Sequence, residues 1–161
     1  MKTLLFIYNS NSGKGKISTE LSPVVDLFSK AGYVVTTCPT QCKGDATRLA
    51  RELGESFDRV ICAGGDGTLS ETVSGLLDLQ NPPVLGYIPT GSTNDCAATL
   101  QLPKDPLKAA ALVAGDTCPR LFDIGRLSIA GWVKEGAVLC ALASFMFLPY
   151  GMYSTKKKEL S

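Results

Sequence analysis

The sequence predicts an α/β fold, a three-layer α/β/α domain with a mostly parallel sheet between its helices. Two observations lead to this prediction. Short apolar runs that are typical of buried strands alternate with longer segments whose apolar residues recur at helical spacing. In addition, the 161 residues are enough for one domain with one core, since a domain commonly contains about 100–150 residues.

The first elements illustrate the alternation. Residues 3–8 (TLLFIY) are apolar throughout and run into a turn-rich segment, which predicts a buried strand. Residues 18–31 carry apolar side chains one turn apart and are followed by Gly32, a residue typical of helix ends. Residues 33–38 (YVVTTC) are rich in β-branched side chains and predict the second strand.

The remaining elements follow the same criteria, with capping residues before helical patterns and short apolar runs for strands. In chain order they are a helix capped by Asp45 that runs to about Leu53, a strand over 59–63, a helix that starts at a capping box of Thr68 and Glu71, a strand over 84–88, a helix from Asp105 and Pro106 to about residue 114, and an antiparallel hairpin formed by 120–130 and 133–147. The order β-α-β-α-β-α-β-α before the hairpin predicts parallel pairing.

Composition and charge exclude several functional classes. The net charge is +1, from 16 Lys and Arg against 15 Asp and Glu, and this balance gives no reason to expect a nucleic-acid partner. The chain contains no histidine, which excludes Ser-His-Asp and Cys-His catalysis and histidine metal ligands. The longest apolar run, residues 137–148, has 12 residues, whereas a membrane-spanning helix needs about 20.

The cysteines indicate a cellular compartment. Six are spread along the chain without a CxxC pair, and no signal peptide is visible at the start. Most lie in apolar stretches, where a free cysteine behaves as a small hydrophobic residue. We therefore expect free thiols and a reducing, cytoplasmic location.

The third predicted strand runs directly into the sequence Gly64-Gly65-Asp66-Gly67-Thr68, and a helix follows. This sequence fits neither the GxxxxGK[ST] loop nor the GxGxxG fingerprint of nucleotide-binding proteins. Glycines nevertheless allow backbone N–H groups to approach phosphates, and the positive end of the next helix would lie at the same place. Asp66 would repel a bare phosphate, so its presence favours a bridging Mg²⁺. A tight turn in which Asp66 serves as a helix cap is the alternative.

Two further polar loops follow predicted strands. Residues 88–95 (IPTGSTND) are rich in hydroxyl and amide groups, and residues 9–15 (NSNSGKG) supply small polar groups and a lysine. Taken singly, the first is equally compatible with a capped turn, and the second with a surface turn. The carboxyl ends of parallel strands lie at one edge of a sheet, where open α/β folds bind ligands. We therefore expect the turns around residues 13, 66 and 92 to meet there and to bind phosphate groups with a metal ion.

Together these loops resemble the catalytic domain of the diacylglycerol kinase and sphingosine kinase family, including its bacterial soluble lipid kinases. The resemblance extends in family order from near the N-terminus to about Gly125. GGDGT alone is shared with NAD kinases and, in variant form, with phosphofructokinases, whereas its combination with a PxGSxND loop is specific to the lipid kinases. The matching segments are Tyr8-Asn9…Ser12-Gly13, Gly44-Asp45-Ala46, Gly64 to Leu69 with Glu71, Pro89 to Asp95, and Phe122-Asp123-Ile124-Gly125.

This resemblance implies a kinase that uses ATP and Mg²⁺ to phosphorylate the hydroxyl of diacylglycerol or a related lipid alcohol at a membrane surface. The implied catalytic residues are the acidic cluster Asp66, Asp95 and Asp123, with Asp66 as the metal ligand. Phosphoryl transfer depends mainly on positioning and charge neutralisation, which suits such a cluster and needs no histidine. The residues implied to lie at the nucleotide are Asn11, Ser12, Gly13, Lys14, Thr40, Gly65, Asp66, Gly67, Thr68, Leu69, Ser70, Glu71 and Ser92.

The resemblance also implies a domain organisation. Residues 1–130 would form the nucleotide-binding α/β domain, and residues 131–161 would lead toward a second, β-rich domain that supplies the carboxylate base and much of the lipid pocket. We expect this second domain to be absent from the chain. The apolar strand 137–148 would then be uncovered, which would allow a homodimer to form through it.

Two alternatives stay open. One is a non-catalytic ATP-binding or regulatory fragment that lacks the second domain, and it would bind ATP with Mg²⁺ but phosphorylate no lipid. The other is a NAD kinase, which the PTGSTND loop disfavours. Phosphorylation of NAD in preference to a lipid would favour the latter.

Overall fold

The computed structural model describes residues 1–115, Pro119 and Ile124, and within this range the side chain of Lys14 is left out of the description. Apart from Ile124, the predicted hairpin lies outside the described residues. The same holds for Asp123, for the strand predicted over 137–148, and for the boundary predicted after residue 130.

The centre of the fold is a four-stranded sheet. Its strands are β1 (Lys2–Tyr8), β2 (Tyr33–Pro39), β3 (Arg59–Gly64) and β4 (Val84–Pro89). Their order is β2-β1-β3-β4, and every neighbouring pair is parallel. In the register, Phe6 of β1 pairs with Thr37 of β2 and with Ile61 of β3. The predicted parallel sheet is thus confirmed, and all four strands end at the same edge.

Helices cover both faces of this sheet. They are α1 (Lys16–Lys30), α2 (Asp45–Leu53), α3 (Asp66–Leu76), α4 (Asp95–Thr99) and α5 (Pro106–Ala114), with short 3₁₀ turns at Ser12–Gly15 and Gly54–Ser56. Helices α1 and α5 pack against each other on one face, and α2 and α3 on the other. The three-layer α/β/α architecture is confirmed.

The strand residues explain why both faces must be covered. Along β1, Leu4 and Phe6 belong to the cluster formed with α1 and α5, whereas Leu5 and Ile7 belong to the cluster formed with α2 and α3. All four side chains are fully buried. Successive side chains of a strand point to opposite faces, so a strand that is apolar at every position needs a helix layer on each side.

Three helix starts show where local sequence signals succeed and fail. The prediction at Asp105 is confirmed, because its carboxylate accepts a hydrogen bond of 2.9 Å from the amide of Lys108 at the start of α5. The prediction of a capping box formed by Thr68 and Glu71 is wrong. Helix α3 begins at Asp66, and its N-cap residue is Gly65, which has an extended backbone and no side chain that could cap the helix. The chain enters the helix directly from the glycine turn, so Thr68 already lies within the first turn.

The cap predicted at Asp45 is also wrong. Gly44 holds the N-cap position of α2 with a φ of +91°, a left-handed conformation that favours glycine. Asp45 is therefore the first residue of the helix, and its carboxylate accepts hydrogen bonds from the preceding loop instead.

Among the helices of the described part of the chain, none is long and apolar enough to cross a membrane.

Candidate functional site

A cleft with a volume of about 640 Å³ opens at the carboxyl-terminal edge of the sheet. The loops that follow β1, β2, β3 and β4 all contribute to it. The strand order reverses between β1 and β3, and open α/β sheets bind ligands at such a switch point. The residues that line the cleft are Asn9, Asn11, Ser12, Gly13, Thr40, Gln41, Cys42, Lys43, Gly65, Gly67, Thr68, Glu71, Gly91 and Ser92.

The loop after β1 is attached to the end of β3. The amide of Asn9 donates to the carbonyl of Ala63 over 2.9 Å, which extends the pairing of the two strands by one residue. The side chain of Asn9 then accepts a hydrogen bond of 3.0 Å from the amide of Asn11. This is an Asx turn, in which the side chain of Asn9 stabilises the change of chain direction. It directs Ser12 and Gly13 toward the cleft that they line.

The loop after β3 is the glycine-rich turn that leads into α3. Gly65, Gly67 and Thr68 line the cleft, so the N-terminal turn of an 11-residue helix forms one of its walls. The first N–H groups of a helix have no partner within the helix, and the N-terminus carries about half a positive charge. No side chain caps this helix. The wall is therefore suited to hold an anion.

The loop after β4 lies against the other two. The amide of Thr90 donates to the carbonyl of Gly64 over 2.9 Å. A Cβ atom built on Gly91 would lie 2.5 Å from the Cα atom of Gly65, and one built on Gly13 would overlap the carbonyl oxygen of Thr90. Three loops that are distant in sequence thus touch through their backbones, and glycine is required where they touch.

Asp66 connects two of these loops. One oxygen of its carboxylate accepts from the amide of Asp95 and the other from the amide of Cys96, each over 3.1 Å. These are the first two residues of α4, so Asp66 caps a helix that begins 29 residues further along the chain. It therefore acts as a cap, but for a helix other than its own.

The same contact brings together two of the three predicted catalytic residues, through the carboxylate of Asp66 and the backbone amide of Asp95. Asp66 and Asp95 are neighbours, while Asp123 lies outside the described residues. Among the described residues, no group of three or more Cys, Asp and Glu side chains is arranged to hold a metal ion. Each oxygen of Asp66 uses one of about two lone-pair directions on a backbone amide, which leaves the other for water or a cation. The residues present are therefore compatible with a magnesium site that keeps several waters.

The loop after β2 also lines the cleft, through residues 40–43. The amide of Thr40 donates to the carbonyl of Tyr8 over 2.9 Å. One oxygen of the Asp45 carboxylate accepts from the amides of Gln41 and Cys42, over 2.7 and 3.1 Å. These two hydrogen bonds, with a smaller effect of Arg48, hold the pKa of Asp45 below its ordinary value. Asp45 thus fixes the shape of a loop that lines the cleft.

This lowered pKa predicts an acid-sensitive loop. The pKa of Asp45 is lower in the folded chain than its ordinary value of 3.8, so its stabilising effect is complete above that value and is lost as the pH falls through the lowered one. We expect acid to lower the melting temperature of the wild type more than that of Asp45→Asn. Thermal melts between about pH 6 and pH 2 measure the difference.

The control for this prediction is Asp26→Asn. It removes an exposed carboxylate of α1 that pairs with Lys30 over 2.6 Å, and it should follow the wild-type pH profile. Parallel profiles of the wild type and Asp45→Asn would contradict the role of Asp45.

The structure brings most of the predicted nucleotide residues to the cleft. Of those with described side chains, the ones that line it are Asn11, Ser12, Gly13, Thr40, Gly65, Gly67, Thr68, Glu71 and Ser92. Asp66 and Ser70 are not among the lining residues. Leu69 is 5% exposed and packs in the core with Val73 and Tyr87.

Sequence reasoning missed Asn9, Gly91 and residues 41–43 as lining residues. Asn9 and Gly91 belong to the loops that were singled out, but not to the predicted site. The segment Gln41-Cys42-Lys43 has no glycine-rich pattern. The signal that was present is its position directly after β2 and before the Gly44-Asp45 helix start, at the edge where the other strands also end.

The chain is similar to several known proteins. The family model described as the diacylglycerol kinase catalytic domain matches residues 3–127. The chain is 43% identical over 129 residues to a diacylglycerol kinase of Bacillus subtilis, which covers 80% of this chain and 43% of that protein. It is 39% identical over 128 residues to a diacylglycerol kinase of Staphylococcus haemolyticus, which covers 79% of this chain and 38% of the relative.

A solved structure shares the fold. The crystal structure of a diacylglycerol kinase from Bacillus anthracis superimposes with a TM-score of 0.65 and 34% identity, over 70% of this chain and 39% of that one. The chain thus spans about two fifths of the length of these relatives. With the family match over most of its residues and the shared fold, this chain belongs to the diacylglycerol kinase catalytic domain family.

Proposed function

We propose that this chain is the nucleotide-binding part of an ATP-dependent lipid kinase, which transfers the γ-phosphate of ATP to the hydroxyl of diacylglycerol or a related lipid alcohol. The observation that best supports the proposal is the cleft in which three glycine-containing loops meet at the N-terminus of α3. The named relatives and the family support the choice of a lipid kinase. A lipid acceptor would bring the protein to a membrane surface during transfer.

The walls of the cleft suggest how ATP would lie. The helix N-terminus with Gly65, Gly67 and Gly91 suits the phosphates, because backbone N–H groups can approach an anion there without a Cβ atom in the way. The loop of residues 40–43 would then face the nucleoside. The volume of about 640 Å³ lies within the usual range for small-molecule sites, about 300–1,000 Å³.

For the metal, we propose that Asp66 and Asp95 hold Mg²⁺ together with water molecules and the phosphates. A bound Mg²⁺ would neutralise the charge that develops on the transferred group. The described residues would contribute in other ways: the glycine loops would orient the triphosphate, and Asp66 would keep Asp95 beside it. In the transfer, the hydroxyl oxygen of the lipid would bond to the γ-phosphorus, and the hydroxyl proton would pass to the carboxylate base that the family resemblance implies for a second domain. The bond between the γ-phosphorus and the bridging β-phosphate oxygen would break, and ADP would leave.

Nucleotide binding can be tested through Cys42, an exposed free thiol that lines the cleft. We expect ATP with Mg²⁺, at about 5 mM and thus above the usual KM range, to slow the alkylation of Cys42 at least about fivefold, because the nucleotide would cover it. Peptide mass spectrometry measures the rate at this residue alone. Cys62 is the internal reference, since burial raises its pKa to about 12 and it should stay unmodified.

The transfer itself needs a second measurement. The complete protein, together with any residues that follow Ser161, is incubated with γ-labelled ATP. The acceptor is either diacylglycerol in detergent micelles or NAD. Label in the lipid is the expected result. Protection of Cys42 without label in any acceptor would support a non-catalytic ATP-binding module, and label in NAD would support a NAD kinase. An alkylation rate of Cys42 that ATP does not change would contradict the proposed cleft.

A further inference from the structure

The loop after β4 is closed by the side chain of one residue. Asn94 has a left-handed backbone, with φ +54° and ψ +51°, a conformation that asparagine tolerates better than most residues. Its Oδ1 atom accepts from the amide of Gly91 over 2.9 Å, and its Nδ2 atom donates to the carbonyl of Gly91 over 2.7 Å. Both ends of the Asn94 amide therefore hold the same glycine, which lines the cleft.

A buried hydroxyl lies between this closed loop and the end of β3. Tyr87 is 6% exposed, and its oxygen is 3.2 Å from the carbonyl of Gly64 and 3.4 Å from Oδ1 of Asn94. The single O–H can donate to either acceptor. Burial raises the pKa of Tyr87 well above its ordinary value, so the hydroxyl remains a donor at any physiological pH.

The two contacts meet where the glycine loops touch. Gly64 precedes Gly65, and Gly65 and Gly91 are in backbone contact across the cleft wall. Tyr87 bonds to the residue before one of these glycines, and Asn94 holds the other. Neither Tyr87 nor Asn94 lines the cleft. We propose that Tyr87 and Asn94 are positioning residues, which set the spacing of Gly65 and Gly91 and thereby the affinity of the cleft for the β- and γ-phosphates of ATP.

This inference rests on the proposed nucleotide site. It gives a physical reason why that site would distinguish ATP from a nucleotide that lacks the β- and γ-phosphates. Glycine has no side chain to pack at this junction, so the spacing of the two loops depends on the hydrogen bonds around it. These are the main-chain bond from Thr90 to Gly64 and the side-chain bonds of Tyr87 and Asn94. A change in that spacing would alter the donors that face the terminal phosphates. It would matter much less for a ligand without them.

The test is a double-mutant cycle with Tyr87→Phe and Asn94→Gly, read out as the Kd for ATP and for AMP by calorimetry. Phenylalanine keeps the ring and removes only the hydroxyl, and glycine keeps the left-handed backbone while removing the amide. We expect the Kd for ATP to rise about fivefold for Tyr87→Phe and about thirtyfold for Asn94→Gly, as expected for one and for two or more hydrogen bonds. The Kd for AMP should change less than about twofold.

The double variant provides a second criterion. Because both residues act on the same loop contact, its effect should fall clearly short of the product of the two single effects. Tyr33→Phe is the matched control: it makes the same change in a buried tyrosine at the opposite end of the sheet, and it should leave both Kd values unchanged.

Each outcome decides between the possibilities. A selective loss of ATP affinity supports the inference. Equal losses for ATP and AMP, or unchanged Kd values in variants with a lowered melting temperature, would show a purely structural role and overturn it. A wild type that binds neither nucleotide would overturn the proposed function as well, so the two failures are distinguishable.

Discussion

Replacing Asp66 by Asn is expected to lower the rate of phosphoryl transfer by about a hundredfold to a thousandfold, the range typical of losing one electrostatic contact to a transition state. The substitution removes the charge proposed to hold Mg²⁺. The amides of Asp95 and Cys96 both donate to the carboxylate of Asp66. The substitution places an NH₂ group, which cannot accept a hydrogen bond, opposite one of them. Steady-state assays of the full-length protein with ATP and diacylglycerol measure the rate.

The same change should destabilise the fold only moderately. Loss of one charge-assisted hydrogen bond at a helix start costs about 1–2 kcal/mol. The control is Asp58→Asn, because Asp58 also accepts from a backbone amide, that of Thr3 over 2.6 Å, but at the amino-terminal end of β3. We expect this control to lower stability by a similar amount and to keep full activity. Full activity in Asp66→Asn would refute the role assigned to Asp66.

Gly13→Ala is expected to abolish nucleotide binding and to lower the free energy of unfolding by about 3 kcal/mol or more. The new methyl group would overlap the carbonyl oxygen of Thr90, so the loops after β1 and β4 would have to separate. The atom in the way belongs to the backbone, which cannot rotate aside as a flexible side chain does. Denaturant unfolding and ATP titration measure the two effects.

A matched variant separates this overlap from backbone strain. Gly32→Ala makes the same change at a φ of +87°, similar in sign to the +57° of Gly13, but its methyl group would meet no atom within 4 Å. It should cost only about 1 kcal/mol of stability and leave ATP binding intact. Equal losses in both variants would mean that the left-handed conformation, and not the contact between loops, accounts for the effect.

The sequence was informative for periodic patterns and for some local ones, although the caps predicted at Thr68 and Asp45 were wrong. Residues 3–8 predicted β1 because a strand covered on both faces is apolar at every position. The cap at Asp105 was predicted because its partner, Lys108, lies three residues away. The edge at which the polar loops meet was predictable as well, since parallel strands with helical connections all end on one side.

Contacts between distant residues could not be predicted in this way. The five-residue helix α4 was missed because its cap is Asp66, which lies 29 residues earlier. From the sequence, Asp66 could be either a metal ligand or a helix cap. Only the fold shows from which amides its carboxylate accepts hydrogen bonds. The contact of Tyr87 was invisible for the same reason. In the sequence Tyr87 is one more apolar position of a strand, whereas in the fold its hydroxyl lies 3.2 Å from the carbonyl of Gly64, a residue 23 positions earlier.

The way in which the loops are joined has a consequence for how such a protein can evolve. Their bases are linked by main-chain hydrogen bonds, from Asn9 to Ala63, Thr40 to Tyr8 and Thr90 to Gly64, and such bonds do not depend on side-chain identity. The loop tips, including Gln41 and Lys43, are therefore free to vary without disturbing the scaffold. With the proposed nucleotide site, a few substitutions at the tips would be enough to change the nucleobase preference of a descendant of this chain, provided that the glycines at the junction are kept.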